Sequence, residues 1–354
     1  MTALSRLGVR LPIIQAPMAG VSTPQMAAAV SNAGALGSIA VGATNAAGAR
    51  SMIDQVRKLT DRPFNVNVFV HQSPIPDTSK DAAWLGKLSP CFSEFGAESP
   101  RNLKTIYKSF ADDSEMVEVL LETRPPVVSF HFGLPSSETI RALKEKDIVL
   151  LATATSTAEA DAIERTNVDF IVAQGYEAGG HRGMFDPDAK DDCLGTFALT
   201  RLLAKRGRLP VIAAGGIMDG AGIAAALDLG AVAAQLGTAF VASPESSADE
   251  GFRRALSGPA AEHTVMTRLI SGRPARCLSN RFTALEEALT GQIPPDYPIA
   301  YDAGKALNAA AKAKGEFGFG AQWAGQGAPL ARSLPAGEMV ETLARELAEA
   351  TRRA

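Results

Sequence analysis

Cysteine is scarce in this chain of 354 residues, with only Cys91, Cys193 and Cys277. They are odd in number, far apart and in no C-x-x-C spacing, which argues against a disulfide framework or a zinc site, and no other metal-binding pattern is present. Neither sign of charge dominates: 35 Lys and Arg stand against 38 Asp and Glu, for a net charge of −3. That balance supplies no basic field for nucleic acid or an anionic membrane. No apolar run reaches the length of a membrane span, and the segment around Arg6 and Arg10 lacks the apolar centre of a signal peptide, so a cytoplasmic location is expected. Low-complexity stretches are also missing. Histidine and tyrosine number only four each, so their positions are informative.

What is present is a regular alternation. Short apolar runs at residues 13–16, 36–41, 64–69, 127–132, 149–153, 170–173, 210–214 and 233–236 are nearly continuous in apolar character, the pattern of parallel strands covered on both faces. Helical stretches with readable ends lie between them. Ser22 or Thr23 caps a helix that starts at Pro24 and stops at Gly34, Ser156 and Glu159 form a capping box, and Asp219 opens a helix closed by Gly230. Eight such units match a (β/α)8 TIM barrel better than an open doubly wound sheet, which usually has fewer strands. Residues 1–70 and 125–245 are expected to form the barrel, and 71–124 with 246–335 a smaller substrate or lid domain. Residues 336–354 read as a C-terminal helix with Met339, Val340, Leu343 and Leu347 on one face.

In such barrels chemistry sits where strands end. The sixth run drives into Gln174-Gly175-Tyr176-Glu177-Ala178-Gly179-Gly180-His181-Arg182-Gly183, whose glycines allow close approach or sharp turning. The seventh and eighth end in Gly215-Gly216 and Gly237-Thr238, where phosphorylated ligands meet backbone N–H groups in barrels of this kind. Asn67 and Gln174 offer donor and acceptor together, as a polar heterocycle requires. Phosphate plus a polar ring suggests flavin mononucleotide, FMN. His131, within the fourth run, reads as a satisfied core histidine with a pocket role left open, and His71 and His263 are assigned nothing. Arg182 and Arg273 are read as structural or solvated.

These residues together carry a family resemblance. Gln15-Ala16-Pro17-Met18, Phe64-Asn65-Val66-Asn67, Ser129-Phe130-His131-Phe132-Gly133, the Gln174 to His181 stretch, Ala214-Gly215-Gly216-Ile217 and Gln235-Leu236-Gly237-Thr238-Ala239-Phe240 resemble the nitronate monooxygenases, formerly 2-nitropropane dioxygenases, and most closely the bacterial class I members. The resemblance covers essentially the whole chain. It implies FMN in a TIM barrel, with Pro17 and Met18 by the flavin ring, Asn67 and Gln174 holding it, and Gly179 and Gly180 beside it. Gly215, Gly216, Gln235, Gly237 and Thr238 would hold the phosphate. His181 matches the catalytic histidine, as a base toward a neutral nitroalkane or as a cation holding an anion. Tyr107, Tyr297, Tyr301 and Lys305 match substrate-pocket positions, with lid packing as the plain alternative. The implied activity is oxidation of an alkyl nitronate, propionate 3-nitronate being expected, by O2 to a carbonyl compound and nitrite or a related nitrogen oxide, without a nicotinamide cofactor. An FMN-dependent NAD(P)H:quinone or enoyl-thioester reductase and a non-catalytic FMN-binding protein are the alternatives. The oligomeric state stays open.

Overall fold

The computed structural model describes residues 2–353. Eight parallel strands surround the core: β1 (Ile13–Gln15), β2 (Gly37–Ala40), β3 (Phe64–Phe69), β4 (Val127–His131), β5 (Val149–Ala154), β6 (Phe170–Gln174), β8 (Val211–Ala214) and β9 (Ala233–Leu236), the two-residue β7 (Gly180–His181) belonging elsewhere. Their spatial order is β1-β9-β8-β6-β5-β4-β3-β2. A parallel bridge between Ile14 and Leu36 joins the first strand to the approach of the second, so the sheet closes into the expected barrel. All eight predicted runs are strands, with ends shifted by a residue or so. Nearly every strand residue is buried, because helices cover the outside and side chains fill the inside.

The helix ends follow local chemistry. Thr23 caps Pro24–Asn32 by accepting from the Met26 amide at 3.0 Å. Asp219 caps Gly220–Asp228 in the same way through the Gly222 amide at 2.8 Å. At Ser156 only half of the expected capping box forms. Ser156 accepts from the Glu159 amide at 3.2 Å, but the Glu159 carboxylate takes the Thr155 amide and hydroxyl instead of reaching back to Ser156. The C-terminal helix Ala336–Arg353 lays Met339, Val340 and Leu343 against Ile13, Met26, Val30 and Ile223.

Two further parts position the site. Helix Thr78–Glu94 contributes Trp84, Leu85, Leu88 and Phe92 to an apolar cluster shared with Leu269, Ile270, Phe282, Leu307 and Phe319, so the insertion packs on the segment beyond the last barrel strand. Helix Ser114–Thr123, grouped with the insertion on sequence grounds, instead packs Met116, Val119 and Leu120 among Val66, Val68 and Val128 of the barrel layer. The second part is a small antiparallel sheet in the order β10 (Thr264–Thr267), β11 (Ala275–Leu278), β7. In it Ala275 pairs with His181 and Arg276 with Gly180. The histidine therefore sits in a strand, tied to the polypeptide beyond the barrel. Among the described residues no helix is long and apolar enough to cross a membrane.

Candidate functional site

A cavity of about 640 Å³ opens at the C-terminal ends of the barrel strands. Every candidate residue named from the sequence lines it: Pro17 and Met18 after β1, Asn67 on β3, His131 ending β4, Gln174 ending β6, Gly179, Gly180 and His181 around β7, Gly215 and Gly216 after β8, and Gln235, Gly237 and Thr238 at the end of β9. Tyr107, Tyr297, Tyr301 and Lys305 close it from the segments outside the barrel.

One end is a backbone cradle. Gly215 and Gly216 take φ of +123° and +68°, values that side chains disfavour. Beside them the short helix Thr238–Val241 starts at Gly237 without any side-chain cap, so its first amides are left to a ligand or solvent. The Thr238 hydroxyl accepts from the Gly325 amide at 3.0 Å and keeps its own proton to donate. The neighbouring helix Thr196–Arg206 is different: the Glu177 carboxylate already accepts from the Thr196 amide, at 2.8 and 3.0 Å. An anion therefore fits at the first helix end and not at the second.

The amides assigned to a heterocycle are partly spoken for. Gln174 donates from Nε2 to the His181 carbonyl at 3.0 Å and accepts at Oε1 from the Gly183 amide at 2.7 Å, which makes it a brace for the histidine segment. Asn67 donates to the Ser129 carbonyl and hydroxyl at 3.1 and 3.0 Å, leaving its Oδ1 without a protein partner yet still accessible.

Gly179 is required for packing. A Cβ there would lie 2.4 Å from the Gly325 nitrogen. That contact belongs to a strap, Gly320 through Gly327, whose Gln322, Trp323, Gly325 and Gly327 also line the cavity. The strap is pinned by Gln326 donating to the Glu177 carbonyl at 2.9 Å. Sequence reading missed it, although three glycines in residues 318–325 and another at 327 were a usable signal.

His181 sits in an aromatic cage, its ring 5.1 Å from that of Trp323, 5.3 Å from Tyr297 and 5.6 Å from Phe132. Its Nε2 lies 2.9 Å from the Ser271 hydroxyl, while Nδ1 has no protein partner and is not buried. Burial first, and then the nearby charges of His131, Arg273 and His71, lower its pKa to about 3. The imidazole is thus neutral at physiological pH in the ligand-free chain, and the cationic role is not the one this environment favours. His131 is satisfied by the Thr153 hydroxyl at 3.1 Å and the His181 carbonyl at 3.2 Å, and burial lowers its pKa to about 4. It lines the cavity as a spacer beneath His181.

Burial pushes the Tyr107 phenol up to about 12 and raises Tyr297 and Tyr301 as well, so all three remain protonated donors. Lys305 holds its ammonium 5.0 Å above the Tyr107 ring and 5.5 Å above that of Tyr301. Among the described residues it has no carboxylate partner. Arg182 does not face the cavity. It is 2% exposed, pairs with Asp191 at 2.9 and 3.1 Å, and donates to the Gln174 carbonyl, clamping the loop that carries His181. Arg273 is also buried, with its guanidinium 4.3 Å over the Phe132 ring and a bond to the Met184 carbonyl. His71, given no role from sequence, lies edge-on to Tyr297 at 5.0 Å with neither ring nitrogen bonded. His263 is exposed and lies outside the cavity lining.

Comparison with known proteins agrees with this geometry. The profile of the nitronate monooxygenase family matches residues 2–346. A nitronate monooxygenase of Paraburkholderia phytofirmans is 64% identical over 97% of this chain and 94% of its own length, and one of Pseudomonas aeruginosa is 56% identical over 96% and 97%. Among solved structures, a nitroalkane oxidase from Streptomyces ansochromogenes superposes with a TM-score of 0.89 at 42% identity, covering 99% of both chains. FabK from Thermotoga maritima superposes with a TM-score of 0.75 at 30% identity, covering 99% of this chain and 96% of its own. From residue pattern, fold and kinship together, the chain belongs to the nitronate monooxygenase family of oxidoreductases.

Proposed function

We propose that this enzyme binds FMN and oxidises alkyl nitronates, propionate 3-nitronate being the expected substrate, with O2 and without a nicotinamide cofactor, yielding a carbonyl compound and nitrite or a related nitrogen oxide. The observation that carries the reading is a single cavity joining an uncapped, glycine-lined helix end to an aromatic cage that holds a neutral imidazole and an unpaired ammonium. The cradle of Gly215, Gly216, Gly237 and Thr238 fits a phosphate, because the uncapped helix start and the Thr238 hydroxyl supply donors and the positive φ of Gly215 and Gly216 disfavours side chains there. The accessible Oδ1 of Asn67 offers an acceptor to a ring N–H.

When bound, FMN supplies the redox chemistry between the electron-rich nitronate carbon and O2. The chain's own residues orient and screen. Tyr297, Tyr301, Trp323 and Phe132 exclude water around His181, whose free Nδ1 faces the reacting region as an acceptor or base. Lys305 lies ready for a second negative charge on the substrate, such as a carboxylate.

The test is the absorbance spectrum of the purified protein, followed by oxygen uptake with propionate 3-nitronate. A yellow protein whose oxygen uptake depends on the nitronate is expected. Anaerobic mixing separates the alternatives: bleaching by NADH and not by the nitronate would assign a reductase. A colourless protein that takes up no FMN would end the proposal. A non-catalytic FMN-binding protein would instead give unchanged flavin content and no turnover, with His181→Asn making no difference.

A further inference from the structure

The turn Ser271-Gly272-Arg273 lies outside the barrel and between the strands of the small sheet, yet among the described residues it makes the one side-chain hydrogen bond to the His181 ring. Ser271 is fully buried, with its Oγ 2.9 Å from His181 Nε2 and 3.3 Å from the Arg273 carbonyl. A hydroxyl carries one proton. If that proton goes to the Arg273 carbonyl, the serine oxygen can only accept from the ring, and Nε2 must carry the hydrogen. The lone pair is then on Nδ1, the nitrogen left open toward the cavity.

The turn is built to hold this arrangement. Gly272 has φ of +89°, and a Cβ there would meet the Pro295 carbonyl at 2.4 Å and the Tyr297 nitrogen at 2.7 Å, so the turn is seated directly on the backbone that delivers Tyr297. The sheet register fixes the other side: Ala275 pairs with His181, and the Arg182 amide donates to the Pro274 carbonyl at 2.9 Å. The serine and imidazole are therefore positioned by two rigid backbone segments. The Arg273 side chain, 3% exposed and with Nε unbonded, places an unpaired positive charge behind Phe132, between the turn and the cage. A cation there opposes a second one on the ring.

We propose that Ser271 is the positioning residue for His181, selecting the tautomer with hydrogen on Nε2 and a lone pair on Nδ1 facing the substrate, and that the Arg273 cation adds to burial in opposing a charge on that ring. The proposal rests on the reading that His181 serves the reacting substrate. It makes the histidine an acceptor or base acting through Nδ1.

The experiment is long-range ¹H–¹⁵N correlation of the histidine rings in the purified holoenzyme at neutral pH, with His181 identified by its loss in His181→Asn. The expected spectrum for His181 has a pyrrole-type Nε2 and a pyridine-type Nδ1. The reverse pattern, or an imidazolium, would overturn the proposal. In Ser271→Ala the signals should move toward a tautomer mixture, with kcat on the nitronate falling roughly tenfold at nearly constant KM. An unchanged ring spectrum in that variant would remove Ser271 from the role. Arg273→Met should move the ring's titration upward, and an unmoved titration would remove the charge argument. Should Ser271→Ala fail to fold, the wild-type spectrum still decides the tautomer. Nitronate turnover by the wild type is scored separately, so the absence of activity would defeat the functional reading while leaving the ring assignment standing.

Discussion

Acid should destabilise this enzyme through its histidine cluster, and His71 offers the cleanest handle. His71, His131 and His181 hold folded-state pKa values of about 4, about 4 and about 3, each lowered first by burial and all further lowered by Arg273. The unfolded chain binds these protons near pH 6.5, so between that pH and the folded values it takes up protons that the folded chain refuses. Stability is therefore full above this window and falls as pH is lowered. Each ring contributes a slope of about 1.4 kcal/mol per pH unit, and three together about 4. At pH near 5 His71 alone costs about 2 kcal/mol. His71→Phe removes a ring whose nitrogens make no hydrogen bond and which packs edge-on against Tyr297 and Phe132, so the substitution keeps the contact and deletes the titration. Urea unfolding measured across this range should show the variant's slope reduced by about one third relative to the parent. Equal slopes would refute the claim that His71 is held neutral, and a flat parent curve would refute it for the whole cluster.

Two more substitutions probe the site. Gly179→Ala drives a methyl into the backbone of the strap at Ala324 and Gly325, and is expected to cost about 1–3 kcal/mol together with most of the bound flavin. Gly86→Ala, on an open helical position, should instead be neutral or stabilising by about 0.5–1 kcal/mol, and the pair can be compared by thermal melting and the visible spectrum. Lys305→Met should raise KM for propionate 3-nitronate about tenfold or more while leaving that for an uncharged-chain alkyl nitronate nearly unchanged, because only the former presents a carboxylate to the ammonium. Equal changes for both substrates would place the substrate's second charge elsewhere.

The barrel was legible in the sequence because strands covered on both faces are nearly continuous in apolar character, so runs such as 170–173 and 211–214 stand out without help from neighbours. The cavity residues were legible for a related reason. Gly215 and Gly216 are forced by backbone geometry, and rare residues such as His181 and Tyr297 fall in the segments that converge. What stayed hidden depends on partners distant in the chain. A two-residue strand such as β7 has no periodicity to read, and its pairing with Ala275 spans more than ninety positions. Nothing local distinguishes a Gln174 that grips a ligand from one that braces the His181 carbonyl. Ser271 likewise looks like any turn serine until the small sheet brings it to the imidazole.

That short strand also bears on engineering. Because Gly180 and His181 are stitched to β11 by main-chain pairing, a chimaera that exchanged the cap of one relative for another, cutting at the barrel rim, would inherit His181 from one parent and the strand that holds it from the other. Recombination should respect residues 180–181 and 264–278 as a single heritable block.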